Sequence, residues 1–258
     1  MPVCVLSHPF HDYPFTLTSK LIGVDIMSKH NNSWIELRDV SQAFRAESRN
    51  IVLFENVNLC IRQGESYAIT GPSGSGKSSL LMLASGLETP TTGSVVGCSE
   101  TKTHSINELR SEIGFIFQQF HLLPELDALT NVALPLKLRG NKAATDIAKQ
   151  WLEKVGLAHR STHKPSQLSG GEQQRVAIAR ALAFSPKFIF ADEPTGNLDS
   201  QSAKEIADLL FACCKDNGAS LILVTHSEQL ADKAMHQLQF NEGKCSWKNP
   251  LIQGEHCA

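Results

Sequence analysis

No stretch of this 258-residue chain approaches the roughly 20 consecutive apolar residues that a membrane-crossing helix needs; the clean apolar runs are as short as residues 221–224. A helical integral membrane protein is thereby excluded. Charge of one sign is also lacking. The 24 basic and 26 acidic residues leave a formal net charge of −2, which argues against a chain whose main task is binding nucleic acid. The seven cysteines (Cys4, Cys60, Cys98, Cys213, Cys214, Cys245 and Cys257) contain no CxxC, so neither a zinc ribbon nor a thioredoxin-type redox motif is present. Cys213 and Cys214 are neighbours in an expected helix, where their side chains diverge, and reduced thiols are the expectation throughout. His159 and His163 have the i, i+4 spacing of metal ligands but lack a nearby carboxylate or cysteine, and read as a solvated pair near a helix end. There is no internal repeat and no heptad run. What remains is globular in composition, 41% hydrophobic and 19% charged, at a length that fits one large domain or two small ones.

Residues 1–32 stand apart, with three of the 11 prolines, three histidines and no sustained period. They are expected to be a disordered extension, with Met27 as an alternative start, ahead of a folded domain over 33–245 and a tail over 246–258. Residues 34–44 and 51–61 read as strands, the second by the alternation of Val57, Leu59 and Ile61. Short apolar segments at 67–70, 113–117, 188–191 and 221–224 read as strands buried on both faces. Helical segments separate them: one from Lys77 to a C-cap at Gly86, and others over 173–184 and 203–214. This alternation predicts an α/β domain with a largely parallel sheet. Between Gln118 and Ser169 strand signals vanish and 143–155 has helical spacing, so a helical insertion is expected over about 119–170.

Gly71-Pro72-Ser73-Gly74-Ser75-Gly76-Lys77-Ser78 satisfies G-x-x-x-x-G-K-[ST] directly after a strand and before a helix, the context that makes the pattern a phosphate loop. Small residues let successive N–H groups curl around a phosphate, and the helix start adds partial positive charge. Lys77 is expected to reach the β- and γ-phosphates and the Ser78 hydroxyl to ligate Mg²⁺, with Ser79 completing the nucleotide cradle. Residues 188–193, Phe-Ile-Phe-Ala-Asp-Glu, deliver two acids at a strand end, the end where ligands collect in a parallel sheet. Asp192 is expected to hold Mg²⁺, and Glu193 to polarise the attacking water as general base. Leu168-Ser169-Gly170-Gly171-Glu172 supplies a second anion-binding helix start, with Ser169 as N-cap.

The run from Leu168 to Leu182 (LSGGEQQRVAIARAL) resembles the signature motif of the ATP-binding-cassette (ABC) ATPases. Over residues 34–243 the other motifs follow in that family's order. Gln118 resembles the glutamine that senses the γ-phosphate and Mg²⁺, Gly196-Asn197-Leu198-Asp199 the D-loop, and His226 the switch histidine. Phe44 sits where the family stacks an aromatic on adenine, although tyrosine is commoner there. The resemblance implies an ABC cassette: a mostly parallel core sheet, an antiparallel N-terminal β subdomain and the helical insertion. It also implies a head-to-tail homodimer with each ATP between one protomer's phosphate loop and the other's Ser169-Gly170-Gly171, with Asp199 beside it.

Three stretches (Gly114–Pro124 in GFIFQQFHLLP, Asn131–Leu136 in NVALPL, and residues 190–199) resemble the group of lipoprotein-releasing, macrolide-exporting and cell-division ATPases. Ser227 departs from that group, which usually has Asp after the histidine. The resemblance implies an ATP-hydrolysing subunit on the cytoplasmic face of the inner membrane, powering a separate permease. Phe120, Leu122 and Leu123 either meet that permease or belong to ordinary subdomain core. A mechanical, non-transport role of the cell-division kind is the alternative; a soluble ATPase of DNA repair or translation is disfavoured by the absence of a coiled-coil insertion and of a second cassette. If Met27 is the start, mass spectrometry of the native protein will find no peptide spanning residues 1–26.

Overall fold

The computed structural model describes residues 33–46, 49–241 and 243–248; the expectations for residues 1–32, including the start at Met27, and for most of the tail lie outside them. Chain contacts divide the protein after His30, and everything described belongs to the unit that begins at Asn31.

Two sheets carry the fold. In the first, β1 (Ser33–Ala46), β2 (Arg49–Arg62), β4 (Thr92–Ser99) and β5 (Lys102–Ser105) lie in the order β2-β1-β4-β5, all antiparallel. Val57, Leu59 and Ile61 alternate inward on β2 and meet Ile35 and Leu37 of β1 in one core, the one-sided burial that period-2 patterning dictates. In the second, β3 (Ser66–Thr70), β6 (Ile113–Phe117), β7 (Phe188–Asp192), β8 (Ser220–Val224), β9 (His236–Asn241) and β10 (Lys244–Trp247) take the order β10-β9-β3-β8-β7-β6. Every pairing is parallel except β10 with β9. Helices cover this sheet, so its central strands are enclosed on both faces: all five residues of β8 are buried, and four of the five in β7.

The helices are α1 (Lys77–Ala84), α2 (Ala128–Leu138), α3 (Ala144–Lys154), α4 (Gly170–Leu182), α5 (Ser200–Asp216) and the single turn α6 (Glu228–Ala231). α1 ends as expected at Gly86, whose φ of 72° permits the bonds Gly86 N–H to Leu83 O and Leu87 N–H to Met82 O. Two helices begin three residues earlier than hydrophobic spacing suggested. Asp199 caps α5 by accepting from the N–H groups of Gln201 and Ser202, and the cap at Ser169 draws Gly170 and Gly171 into the first turn of α4. β4, β5, β9 and β10 escaped the sequence reading: Gly, Ser, Lys and Gln interrupt the apolar runs there, in β5 and β10 at a sheet edge and in β4 and β9 between two neighbouring strands.

α2 and α3 form the helical insertion, and Ala128, Val132, Ala148, Trp151 and Leu152 pack in one core with Val176 and Ile178 of α4. Among the described residues no helix is long and apolar enough to cross a membrane. Cys98, Cys213, Cys214 and Cys245 are free thiols, as expected.

β6 meets α4 so closely at Gly114 that a Cβ there would lie 2.6 Å from the Ala181 carbonyl oxygen and 2.7 Å from Ile189 Cδ1. Gly114→Ala is expected to cost about 1–3 kcal/mol of stability through overpacking, read as a lower midpoint in urea unfolding.

Candidate functional site

Strand register brings the predicted residues together. Ile69 of β3 pairs with Val224 of β8, Val224 with Asp192 of β7, and Asp192 with Phe117 of β6. Four parallel strands are therefore level at Ile69, Val224, Asp192 and Phe117; β3 runs one residue further, to Thr70, and the residues that follow the strands (Gly71, Thr225, Glu193 and Gln118) open four adjacent loops at the carboxyl edge of the sheet. Residues separated by more than a hundred positions in the chain become neighbours by this alignment alone.

The β3 loop needs its glycines. A Cβ on Gly71 would sit 2.1 Å from the Phe240 carbonyl oxygen, and Gly76, left-handed at φ 99°, would press on Phe54. Pro72, Ser73 and Gly74 are exposed at the crest, with Ser75 and Ser79 half-buried below. Lys77 is buried, and its ammonium donates to the carbonyls of Gly71 at 3.0 Å and Pro72 at 2.7 Å. Burial lowers its pKa, against the Glu193 and Asp192 carboxylates that hold it up. Resting on neutral carbonyls instead of in an ion pair, the ammonium keeps its charge available for an anion. The Ser75 hydroxyl is buried without a hydrogen-bond partner, a polar group of the kind a phosphate or water satisfies.

Ser78, at the start of α1, donates its hydroxyl to Asp192 Oδ1 at 3.1 Å. This hydroxyl and carboxylate, both hard oxygen donors, suit a small divalent cation such as Mg²⁺. Next to Asp192, Glu193 adopts a left-handed φ of 46° while its N–H still donates to Val224 O at 3.0 Å. The carboxylate faces His226: Oε1 lies 3.2 Å from the imidazole Nε2, and the His226 backbone N–H donates to Oε2 at 3.4 Å. Burial raises the Glu193 pKa, outweighing the opposing pull of His226 and Lys77. Ser227, anomalous in sequence, caps α6 by accepting from the Leu230 N–H at 3.3 Å, a task serine performs as well as aspartate.

Gln118 is exposed and exchanges two hydrogen bonds with Asn197, Nε2 to Asn197 Oδ1 and Asn197 Nδ2 to Gln118 O, each 3.0 Å. Gly196 leaves room for this pair, since a Cβ there would lie 2.9 Å from Gln118 Nε2. Ser169, exposed, forms a capping box with Glu172: Ser169 N–H to Glu172 Oε2 at 2.8 Å and Glu172 N–H to Ser169 Oγ at 3.3 Å. Gly170 approaches Leu198, and Gly171 approaches Ser202. Ser169, Gly170, Gly171 and Asp199 thus cluster at the joined starts of α4 and α5, with no recorded hydrogen bond to the phosphate loop. Phe44 stands on β1 opposite Ile51, 46% exposed.

The pairing of Asn197, read in the sequence only as a D-loop residue, and the part played by Gln174 were missed in the sequence. Asn197 lies 79 positions from its partner Gln118, and nothing local marks the pairing. Gln174 is fully buried and donates from Nε2 to Pro194 O at 2.7 Å, just beyond Glu193. Its signal was available: with Ile178 and Ala181 it occupies i, i+4 and i+7 of the apolar stripe of α4, a place where a polar side chain calls for explanation. His163 meets Arg160, with Nε2 3.2 Å from Arg160 Nη1, and among the described residues no group of three or more His, Cys, Asp or Glu is placed to hold a metal ion.

A protein-family profile described as "ABC transporter" matches residues 54–196. The lipoprotein-releasing system ATP-binding protein LolD of Pseudoalteromonas translucida (strain TAC 125) is 44% identical over 227 residues, covering 84% of this chain and 97% of that protein. The protein of the same name from Geobacter metallireducens (strain ATCC 53774 / DSM 7210 / GS-15) is 41% identical over 227 residues, covering 83% and 98%. Two solved structures of the ATP-binding cassette MJ0796 superpose with a TM-score of 0.72 over 83% of this chain and 99% of theirs. One, at 35% identity, is a dimer in a post-hydrolysis state bound to ADP and phosphate; the other, at 37%, is described as a dimeric bacterial ABC transporter cassette.

Because folding raises the Glu193 pKa above its ordinary 4.5, the associated stability is fully present below that value and is lost as pH rises through the raised one. Glu193→Gln is therefore expected to raise the Tm of the nucleotide-free protein at pH 7–8, with the difference closing as pH falls toward 4. A constant difference across that range would remove the burial argument.

Proposed function

The chain belongs to the ABC transporter family, and from that premise we propose that it is the ATP-hydrolysing subunit of a lipoprotein-releasing transporter, working on the cytoplasmic face of the inner membrane with a separate permease. The observation that carries the reading is the alignment of Lys77, Ser78, Asp192, Glu193 and His226 at one sheet edge, in a chain 44% identical to a lipoprotein-releasing ATPase over nearly that protein's whole length. We take residues 33–245 as the ATPase unit, with 119–170 as its helical insertion.

On this reading the loop from Gly71 to Ser79 cradles the ATP phosphates and Lys77 turns from its carbonyls to the β- and γ-phosphates. Phe44 stacks on the adenine. Ser78 and Asp192, with Gln118, would hold Mg²⁺, which when bound neutralises charge on the phosphate oxygens. Glu193 takes the proton of the attacking water. Its raised pKa moves it toward the operating pH, where a general base transfers protons best. His226 orients the Glu193 carboxylate and the γ-phosphate from the exposed side.

One side of the γ-phosphate is left uncovered by these groups. A second protomer, docked head to tail, covers it with Ser169, Gly170 and Gly171, whose helix start offers N–H groups and positive charge; Asp199 lies alongside. The dimeric cassettes among the structural relatives support this arrangement. ATP then closes the dimer and hydrolysis opens it, which is the stroke delivered to the permease.

Glu193→Gln should retain ATP binding, lower turnover by about 10²–10⁴-fold and accumulate an ATP-bound dimer, measured by phosphate release and size-exclusion chromatography. Lys77→Ala should weaken ATP binding itself. Pull-down from detergent-solubilised membranes tests the transport reading: recovery of a permease with a large periplasmic domain supports it, and recovery of nucleic acid or ribosomes alone sinks it.

A further inference from the structure

The turn that follows Gln118 is built from two successive non-glycine residues in the left-handed region, Phe120 at φ 60° and His121 at φ 47°. Each such residue is strained and persists only where its surroundings over-determine it. Here both carbonyl oxygens are taken by one side chain. Arg180 donates from Nη2 to Phe120 O at 2.9 Å and from Nη1 to His121 O at 2.6 Å. The guanidinium is half-buried, its pKa is lowered by that burial, and among the described residues no carboxylate lies within ion-pair distance of it. An arginine placed only for charge would take an acid partner. This one spends its planar fork on two consecutive carbonyls, a geometry that a lysine ammonium cannot reproduce.

Arg180 belongs to the last turn of α4, the helix opened by Ser169, Gly170 and Gly171. Gln118, two residues before the turn, has its other polar contacts with Asn197. The loop carrying Gln118 is therefore held between the Asn197 loop and the far end of α4.

We propose that Arg180 is a positioning residue for Gln118: by holding the Phe120–His121 turn left-handed, it ties the Gln118 loop to the signature helix within one chain. A shift of α4, when a partner's nucleotide engages Ser169–Gly171, then moves Gln118 at this protomer's own site. The inference rests on the reading of Gln118 as a γ-phosphate and Mg²⁺ group.

The test uses the full chain with Arg180→Lys, Arg180→Met, Gln118→Ala and the Arg180→Met/Gln118→Ala double variant. Arg180→Met removes the charge along with the fork, so the fold does not have to bury an unpaired cation. Amide hydrogen exchange of the nucleotide-free proteins should quicken about tenfold in residues 119–122 of both Arg180 variants, with residues 71–78 unchanged. Turnover should fall about tenfold while the KM for ATP stays within about twofold. The double variant should be no slower than Gln118→Ala alone, because the two residues act in series. Unchanged exchange at 119–122, or losses that simply add in the double variant, overturns the proposal. Wild-type turnover in Gln118→Ala would instead overturn the reading of Gln118, and it is told apart because the exchange comparison does not depend on turnover.

Discussion

Four parallel strands locked in one register are the constraint from which the rest of this molecule follows. Parallel strands buried on both faces cannot slip by one residue without turning Phe190, Ile222 and their neighbours to the wrong side. The register that protects the core therefore also sets where Gly71, Gln118, Glu193 and Thr225 emerge. Hydrophobic burial thus determines the placement of the polar groups without any of them having to contribute stability. Glu193 illustrates the separation: it is left-handed, half-buried and raised in pKa, features that cost stability and are tolerated because the strands beneath are well packed.

α4 is the second organising element. Its first turn holds Ser169 in a capping box, its buried face sends Gln174 to the carbonyl beyond Glu193, and its last turn sends Arg180 to the carbonyls beyond Gln118. One helix thus touches two of the four loops from its buried face and its last turn. The contacts end on backbone carbonyls, so they set loop position whatever side chains the loops carry.

Much of this was legible in the sequence because the chemistry is local. The phosphate loop, the acids at the end of β7 and the Ser-Gly-Gly helix start are each contiguous, and their residue types follow from what a phosphate or a metal ion requires. The short apolar strands were visible for the same reason. β4, β5, β9 and β10 were not: β5 and β10 are polar strands at a sheet edge, and β4 and β9, although paired on both sides, set glycine, serine or glutamine among too few apolar residues to stand out. Contacts such as Gln118 with Asn197 were hidden more deeply: each residue alone is an ordinary surface amide, and only the folded sheet edge makes them neighbours. Ser227 shows the converse, a departure in sequence that is no departure in structure, since the helix it caps needs only an oxygen.

Lys77 rests on the carbonyls of Gly71 and Pro72, and this has a consequence for the end of the catalytic cycle. On the function proposed above, a phosphate entering the loop would gain an ammonium that leaves two hydrogen bonds behind, so its binding would be an exchange. When phosphate departs, the ammonium has carbonyls to return to and never stands bare in a buried place. On that reading, product escape would be eased by a contact that belongs to the loop itself.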